Sequence, residues 1–247
     1  MNLDRSYAKH VRQRLGFFPV WPPGDAMAPG DLGRLEDGIF YREGTLAGTM
    51  GVAGIQVAER PVTGLTRFRS ADCSSTAVKA SGGAPVAAGI TANARMTLKF
   101  ANEGGVAFDA TDCTEQTIAN VLEVRERIES DRARWPDDFV LVTRVTLARN
   151  FLVVVAGKAG ASVDLIGDAS ALGSWNLANA ELSSSEGNSG GFQRSGDGPI
   201  LIGLYGFNWW GKLTETGQMH PLSIAGSAPA ATEQDFIEMP ARNSAFD

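Results

Sequence analysis

The stretch 137–167, DDFVLVTRVTLARNFLVVVAGKAGASVDLIG, constrains the fold more than any other part of the chain. It holds apolar runs at about 139–148, 151–156 and 161–166, rich in valine and leucine and of the length that suits buried strands. Pro199–Phe207 (PILIGLYGF) has the same character. Arg149-Asn150, between the first two runs, is either a tight turn or a bulge; in the second case 139–156 is one long bent strand. A sheet therefore forms the centre of the fold.

Other segments arrange themselves around it. In 93–100, Ala94, Met96, Leu98 and Phe100 alternate with Arg95, Thr97 and Lys99, the period of a half-buried strand. Glu103–Gly105 predicts a turn and Val106–Ala110 a return strand, so 94–110 is expected to be a hairpin. Thr114 precedes a run in which Ile118, Val121, Leu122, Arg125, Ile128 and Glu129 share a face. A central helix is predicted at about 114–134, capped by Thr114 and closed by Pro136. At the start, Leu3, Tyr7, Val11 and Leu15 recur every fourth residue, which predicts an amphipathic helix ended by Gly16. Such a helix packs on the body, or docks on a membrane surface or partner.

Phe17–Gly30 is proline-rich, and its Phe17, Phe18, Val20 and Trp21 are expected to anchor an extended segment. Trp21 is alternatively a recognition surface. Asp37-Gly38 predicts a hairpin turn before a strand at Ile39–Arg42. Residues 52–69 read as short strands split by Pro61, the start of 70–89 as a loop, and 183–198 as a polar loop or insertion. The fold class that fits is α+β, with one large bent, mostly antiparallel sheet. Residues 1–220 are expected to form a single domain, and 221–247 a tail packed on the body or mobile, with Phe236, Ile237 and Phe246 as its anchors.

Composition excludes several functions. With 22 Lys+Arg against 28 Asp+Glu, the net charge of -6 argues against nucleic-acid partners. No apolar stretch is long enough for a transmembrane helix and no secretory signal is expected, so a cytoplasmic location is predicted. The two cysteines, Cys73 and Cys113, read as free thiols, with a disulfide left open. No metal site is expected from two histidines and two scattered cysteines. The carboxylates Asp109, Asp112 and Glu115 lack the order of a calcium loop.

Catalytic patterns fare no better. Ser189 in GNSGG has only His10 upstream, and His220 has no nearby carboxylate in sequence, so no catalytic residue and no cofactor is assigned. Ala159 stands where a P-loop needs Ser or Thr after Gly157-Lys158. Leu172, Gly173, Trp175 and Asn176 resemble the opening of a starch-binding module, and a sugar could stack on Trp175, or on Trp209 and Trp210. A carbohydrate-binding module and a hydrolase of unrecognised type remain the alternatives.

The order of segments carries a wider resemblance. Helix, Trp135, DDFVLVTRV, ARNFLVVVAGKAGASVDLIG, ASALGSWNLANAELS and GPILIGLYGF together resemble the layout of small bacterial gasdermin-like proteins. The resemblance implies a single α+β domain whose strands extend into membrane-inserted hairpins once a C-terminal peptide is removed. It implies a non-enzymatic bacterial domain that self-assembles or binds a protein partner, and that meets a membrane after activation. Bacterial members often carry an acylated cysteine near the N-terminus; residues 1–72 contain none.

Overall fold

A computed structural model describes residues 2–62, 66–79, 93–136, 138–168, 172, 177, 181–182, 191–207 and 213–216. In chain order the elements begin with α1 (Leu3–Leu15), β1 (Phe18–Pro19), β2 (Asp31–Glu36), β3 (Ile39–Thr45) and α2 (Leu46–Met50). They continue with β4 (Val57–Pro61), β5 (Thr66–Arg69), β6 (Cys73–Lys79), β7 (Asn93–Phe100), β8 (Val106–Thr111) and β9 (Thr114–Ile118). Next come α3 (Val121–Ser130), a 3-10 turn (Arg132–Arg134), β10 (Phe139–Val155) and β11 (Ser162–Asp168). The last are β12 (Glu181–Leu182), β13 (Phe192–Phe207) and β14 (Leu213–Thr216).

β10 is the spine. It pairs antiparallel with β13 along its length, and its other edge is shared in turn by β2, β9 and β8. β4 and β5 extend the sheet beyond β9 and β8. The α+β class and the large, bent antiparallel sheet are as expected from sequence. Arg149-Asn150 resolves as a bulge, because the β10–β13 register shifts between Ala148 and Phe151 while the strand runs on. Nearby, Asp112 interrupts β8 and β9 with a φ of 50°, and β13 carries Gly196 and Gly198 at φ 153° and 120°. These breaks lie along one crease, where the sheet bends.

Alternation along β10 sorts its side chains into separate cores. Phe139 and Leu141 pack with Leu46, Ile128 and Trp135, while Val140, Val142 and Val145 meet Phe18, Phe40 and Ile202. Past the crease, Phe151, Val153 and Val155 face Tyr7 and Val11 of α1, and Leu152 and Val154 face a second sheet. That second sheet runs β12-β11-β7-β6 among the described residues. Nearly all of β10 is therefore buried on both faces.

Local signals explain the boundaries. Gly16 ends α1 at φ 73°, its N–H donating to the Arg12 carbonyl at 3.0 Å. Asp37 and Gly38, at φ 52° and 86°, make the two-residue turn that pairs Glu36 with Ile39. Pro61 closes β4. Phe18 and Val20 are buried, as an anchoring segment requires.

Four expectations need correction. The helix begins at Val121; Thr114–Ile118 is β9, held by β4 on one side and β10 on the other, and pairing on both edges overrides the helical pattern. Val106–Thr111 does not form a hairpin with 93–100. β8 pairs with β10 and β5 in the large sheet, and β7 with β6 and β11 in the small one. Residues 73–79, within the expected loop, form strand β6. Residues 192–198, given to the polar loop, belong to β13, with 183–190 outside the described residues.

Candidate functional site

The small sheet is divided between an apolar inner face and a mainly polar outer one, on which Ile166 stands 40% exposed. On β7, Met96, Leu98 and Phe100 are buried while Arg95 and Lys99 are exposed. β11 follows in register: Val163 lies opposite Leu98 and Leu165 opposite Met96, and both are buried. Cys73 of β6, opposite Phe100, continues the apolar face, and Ser74 and Thr76 the polar one. On the polar face Asp164 accepts from Arg95 at 2.5 Å and from Thr97 at 2.6 Å. The apolar face closes on Ala107, Leu152 and Val154 of the large sheet, together with Leu172 and Leu177 of the β11–β12 connection.

One ionic group lies inside this apolar contact. Arg67 and Asp109 are direct cross-strand partners on β5 and β8, with side chains 4% and 0% exposed and Nε 3.5 Å from Oδ1. Asp109 Oδ2 accepts the Leu177 N–H in a very short hydrogen bond. Sequence reasoning took Asp109, Asp112 and Glu115 together as one group of carboxylates. The structure separates them. Asp112 is exposed, and Glu115 takes Arg60 at 2.6 Å and Arg144 at 3.6 Å. The overlooked signal was a lone carboxylate inside the apolar stretch Val106–Thr111.

A neck joins the sheets, where the chain passes between them through Ser70–Asp72, Ala101–Gly105 and Ala156–Ala161. Ala101 donates to Asp72 O at 2.9 Å, Gly104 to Ala156 O at 2.7 Å, and Val106 to Ser70 Oγ at 2.9 Å. α1 straps this neck, Ser6 Oγ donating to Gly104 O at 2.8 Å, and is tied separately to the β2–β3 turn by Arg5 and Asp37 at 2.5 Å. A cleft of about 830 Å³ opens between α1 and the neck, lined by Arg5, Lys9, His10, Asp72 and Glu103 among others. Burial holds His10 below the usual histidine range; Asp72 pulls upward, and Arg14 and Lys9 add to the depression. A second groove of about 730 Å³ follows the crease past Glu59, Cys113, Arg149 and Asp197.

The remaining candidates are placed as follows. Trp21 is half-buried, 4.4 Å from Phe192 and 5.5 Å from Tyr7 between ring centroids. Trp175, Trp209, Trp210, His220, Phe236, Ile237 and Phe246 lie outside the described residues. Cys73 and Cys113 are free and buried, and burial pushes their thiols up to about 12 and about 11. Among the described residues no group of three or more His, Cys, Asp or Glu could hold a metal ion. Among them also, no helix is long and apolar enough to cross a membrane.

No family model matches the sequence, and no curated protein matches it. Among solved structures the chain is similar to a bacterial gasdermin from Bradyrhizobium tropiciagri, with 15% identity and a TM-score of 0.33, over 87% of this chain and 93% of that one. It is also similar to the Gasdermin A3 membrane pore seen by cryo-EM, with 10% identity and a TM-score of 0.32, over 87% and 94%. Both structures bear the name of the family whose layout the order of segments resembles.

Proposed function

We propose that the chain is a latent, gasdermin-like membrane pore former whose small sheet exchanges its contact with the large sheet for contact with lipid. The observation that carries this reading is the division of β7 and β11 into one apolar and one charged face, in register across both strands. A strand in a membrane barrel needs one face for lipid and one for water. A paired sheet also satisfies the backbone polar groups that lipid cannot. β7 has 8 residues. A tilted membrane strand takes about 9–11, so the inserted strand is longer than β7 is in the closed form.

In this reading the protein waits in the bacterial cytoplasm and assembles with copies of itself once activated. The restraint is the tail, residues 221–247. Burying Phe236, Ile237 and Phe246 against the body contributes about 1.5–3 kcal/mol for each side chain. That holds a latent state and is lost on one cleavage. The test is dye release from liposomes by the intact chain and by a chain truncated after His220. Release by the truncated form alone is expected. No release by either form overturns the pore reading, and equal release by both removes the tail from it.

A further inference from the structure

We infer that β1 holds the place of a second copy's β4: it occupies the outer edge of β13, where a neighbouring chain's β4 pairs once the segment Phe18–Asp25 lifts away. The inference rests on the self-assembly in the proposed function, to which it gives an edge and a direction, and its test needs no membrane.

The rows of the large sheet carry the argument. Glu59, Gln116, Val145 and Ile202 stand side by side on β4, β9, β10 and β13, and the next place in that row is taken by Phe18 of β1. One row along, Arg60, Glu115, Thr146 and Leu201 are followed by Pro19. Each strand in these rows is antiparallel to its neighbour, so β4 and β13 run in opposite directions. β1 is antiparallel to β13 and therefore runs as β4 does. A second copy set beside the first in the same orientation brings its β4 to this place, with this direction.

Backbone polarity agrees. Gln56 O accepts from Ala119 N at 2.7 Å, and Val62 N donates to Cys113 O at 2.8 Å. By alternation, Ala58 and Arg60 also face β9, while Val57 and Glu59 turn their N–H and C=O outward. Among the described residues no strand pairs with this outer edge of β4, nor with that of β5. On β13, Ile200 O accepts from Val20 N at 3.0 Å, which makes Ile202 the next outward position, level with Glu59. β5 continues the same ladder, with Arg67 level with Ser195 and Arg69 with Gln193.

In the single chain that edge is filled. Phe18 and Val20 are buried, Gly24 N donates to Pro199 O at 2.7 Å, and Asp25 meets Arg194 at 3.0 Å. Pro19 alternates with Val20, so it faces away from β13 and offers no N–H to a further strand. An open edge on one flank and a complementary, occupied edge on the other make a head-to-tail contact, which builds rings or filaments rather than closed pairs.

Sedimentation velocity on the full chain, with no lipid present, tests this. Val20→Pro removes the N–H that Ile200 O accepts. Loss of one backbone hydrogen bond raises the uncapped population about tenfold, and the apparent affinity between copies rises by the same factor. Val20→Pro is therefore expected to form oligomers about tenfold more tightly than the parent chain. Adding Glu59→Pro, which removes an outward N–H of β4, is expected to abolish them, whereas Glu59→Ala, which keeps it, is expected to leave them. The chain with Val20→Pro and Glu59→Pro, mixed with the parent, is expected to give 1:1 dimers. A folded Val20→Pro chain that stays monomeric overturns the inference, as do oligomers that survive Glu59→Pro or are lost equally in Glu59→Ala. Should Val20→Pro fail to fold, Trp21→Ala with Asp25→Ala, which removes the contacts with Phe192 and Arg194, decides by the same criteria. Oligomers that depend on Glu59→Pro in this way, with no dye release by any form, keep the role of β1 and refute the pore reading. Dye release by the truncated chain, with the loosened chains monomeric, does the reverse.

Discussion

Replacing Leu98 with alanine probes the contact on which the small sheet depends. Leu98 is fully buried at the middle of β7, with Ser75 of β6 opposite on one side and Val163 of β11 on the other. Leucine-to-alanine changes in cores destabilise by about 2–5 kcal/mol, and the place within that range depends on how far the surroundings collapse into the cavity. Collapse is limited here. β7 is hydrogen-bonded along both edges, so it cannot move inward without breaking two ladders. Across the contact, Leu152 and Val154 sit on β10, which is itself held by β13 and β8. The cavity should persist, and a loss of about 3.5–5 kcal/mol follows. Lys99→Ala, one residue along and on the exposed face, should stay within about 0.5 kcal/mol. Guanidinium unfolding measures both as shifts in midpoint at constant slope. A loss under about 1 kcal/mol for Leu98→Ala, or one above about 2 kcal/mol for Lys99→Ala, would refute the assignment of faces.

Two other perturbations read the neck and its strap. A Cβ at Gly105 would stand 2.7 Å from Asp72 Oδ2 and 2.8 Å from Phe100 Cδ1. The carboxylate can swing away only by giving up the Asn102 N–H, and the buried ring cannot, so Gly105→Ala should destabilise by about 1–3 kcal/mol, read as a lower Tm. His10 is held below its usual pKa mainly by burial, so the released chain takes up a proton first as pH falls below about 6.5. Stability should drop from there down to the lower folded value and then level off for this group. The parent chain should lose more Tm than His10→Gln between pH 7.5 and 5.5, and parallel curves would exclude the effect.

Local order was legible in the sequence, and partner choice was not. The alternation in 94–100, the buried length of 139–156, the stop at Gly16 and the turn at Asp37-Gly38 all rest on a few neighbouring residues. The hairpin assigned to 94–110 failed because a short connection was taken to mean pairing. Residues 101–105 instead carry the chain from one sheet to the other. A warning was present: all of Val106–Thr111 is buried, as befits a strand covered on both sides, and its sequence lacks the alternation of an outer hairpin strand. Thr114–Ile118 misled in the same way. Its helical spacing is genuine, but Thr114, Thr117 and Ile118 are β-branched, and pairing with both β4 and β10 decides the outcome.

The candidate site follows from the same distinction between a strand's own pattern and what covers it. Asp109 could be recognised as a lone charge in an apolar run, but its partner is set by the register of β5 on β8, a non-local pairing that no spacing in the sequence records. The strands also differ in what they can do. β10 is buried along nearly its whole length and has no polar face to turn to water, so exposing it would leave apolar surface on one side or the other. β7 and β11 already keep Arg95, Lys99 and Asp164 on their outer side. Their inner side asks only for something apolar, and Leu152 and Val154 supply it in the closed form. Under the proposed function, lipid supplies it in the open form. An exchange of this kind requires one polar face and one face that any apolar partner can cover, and the alternation of β7 and β11 provides both.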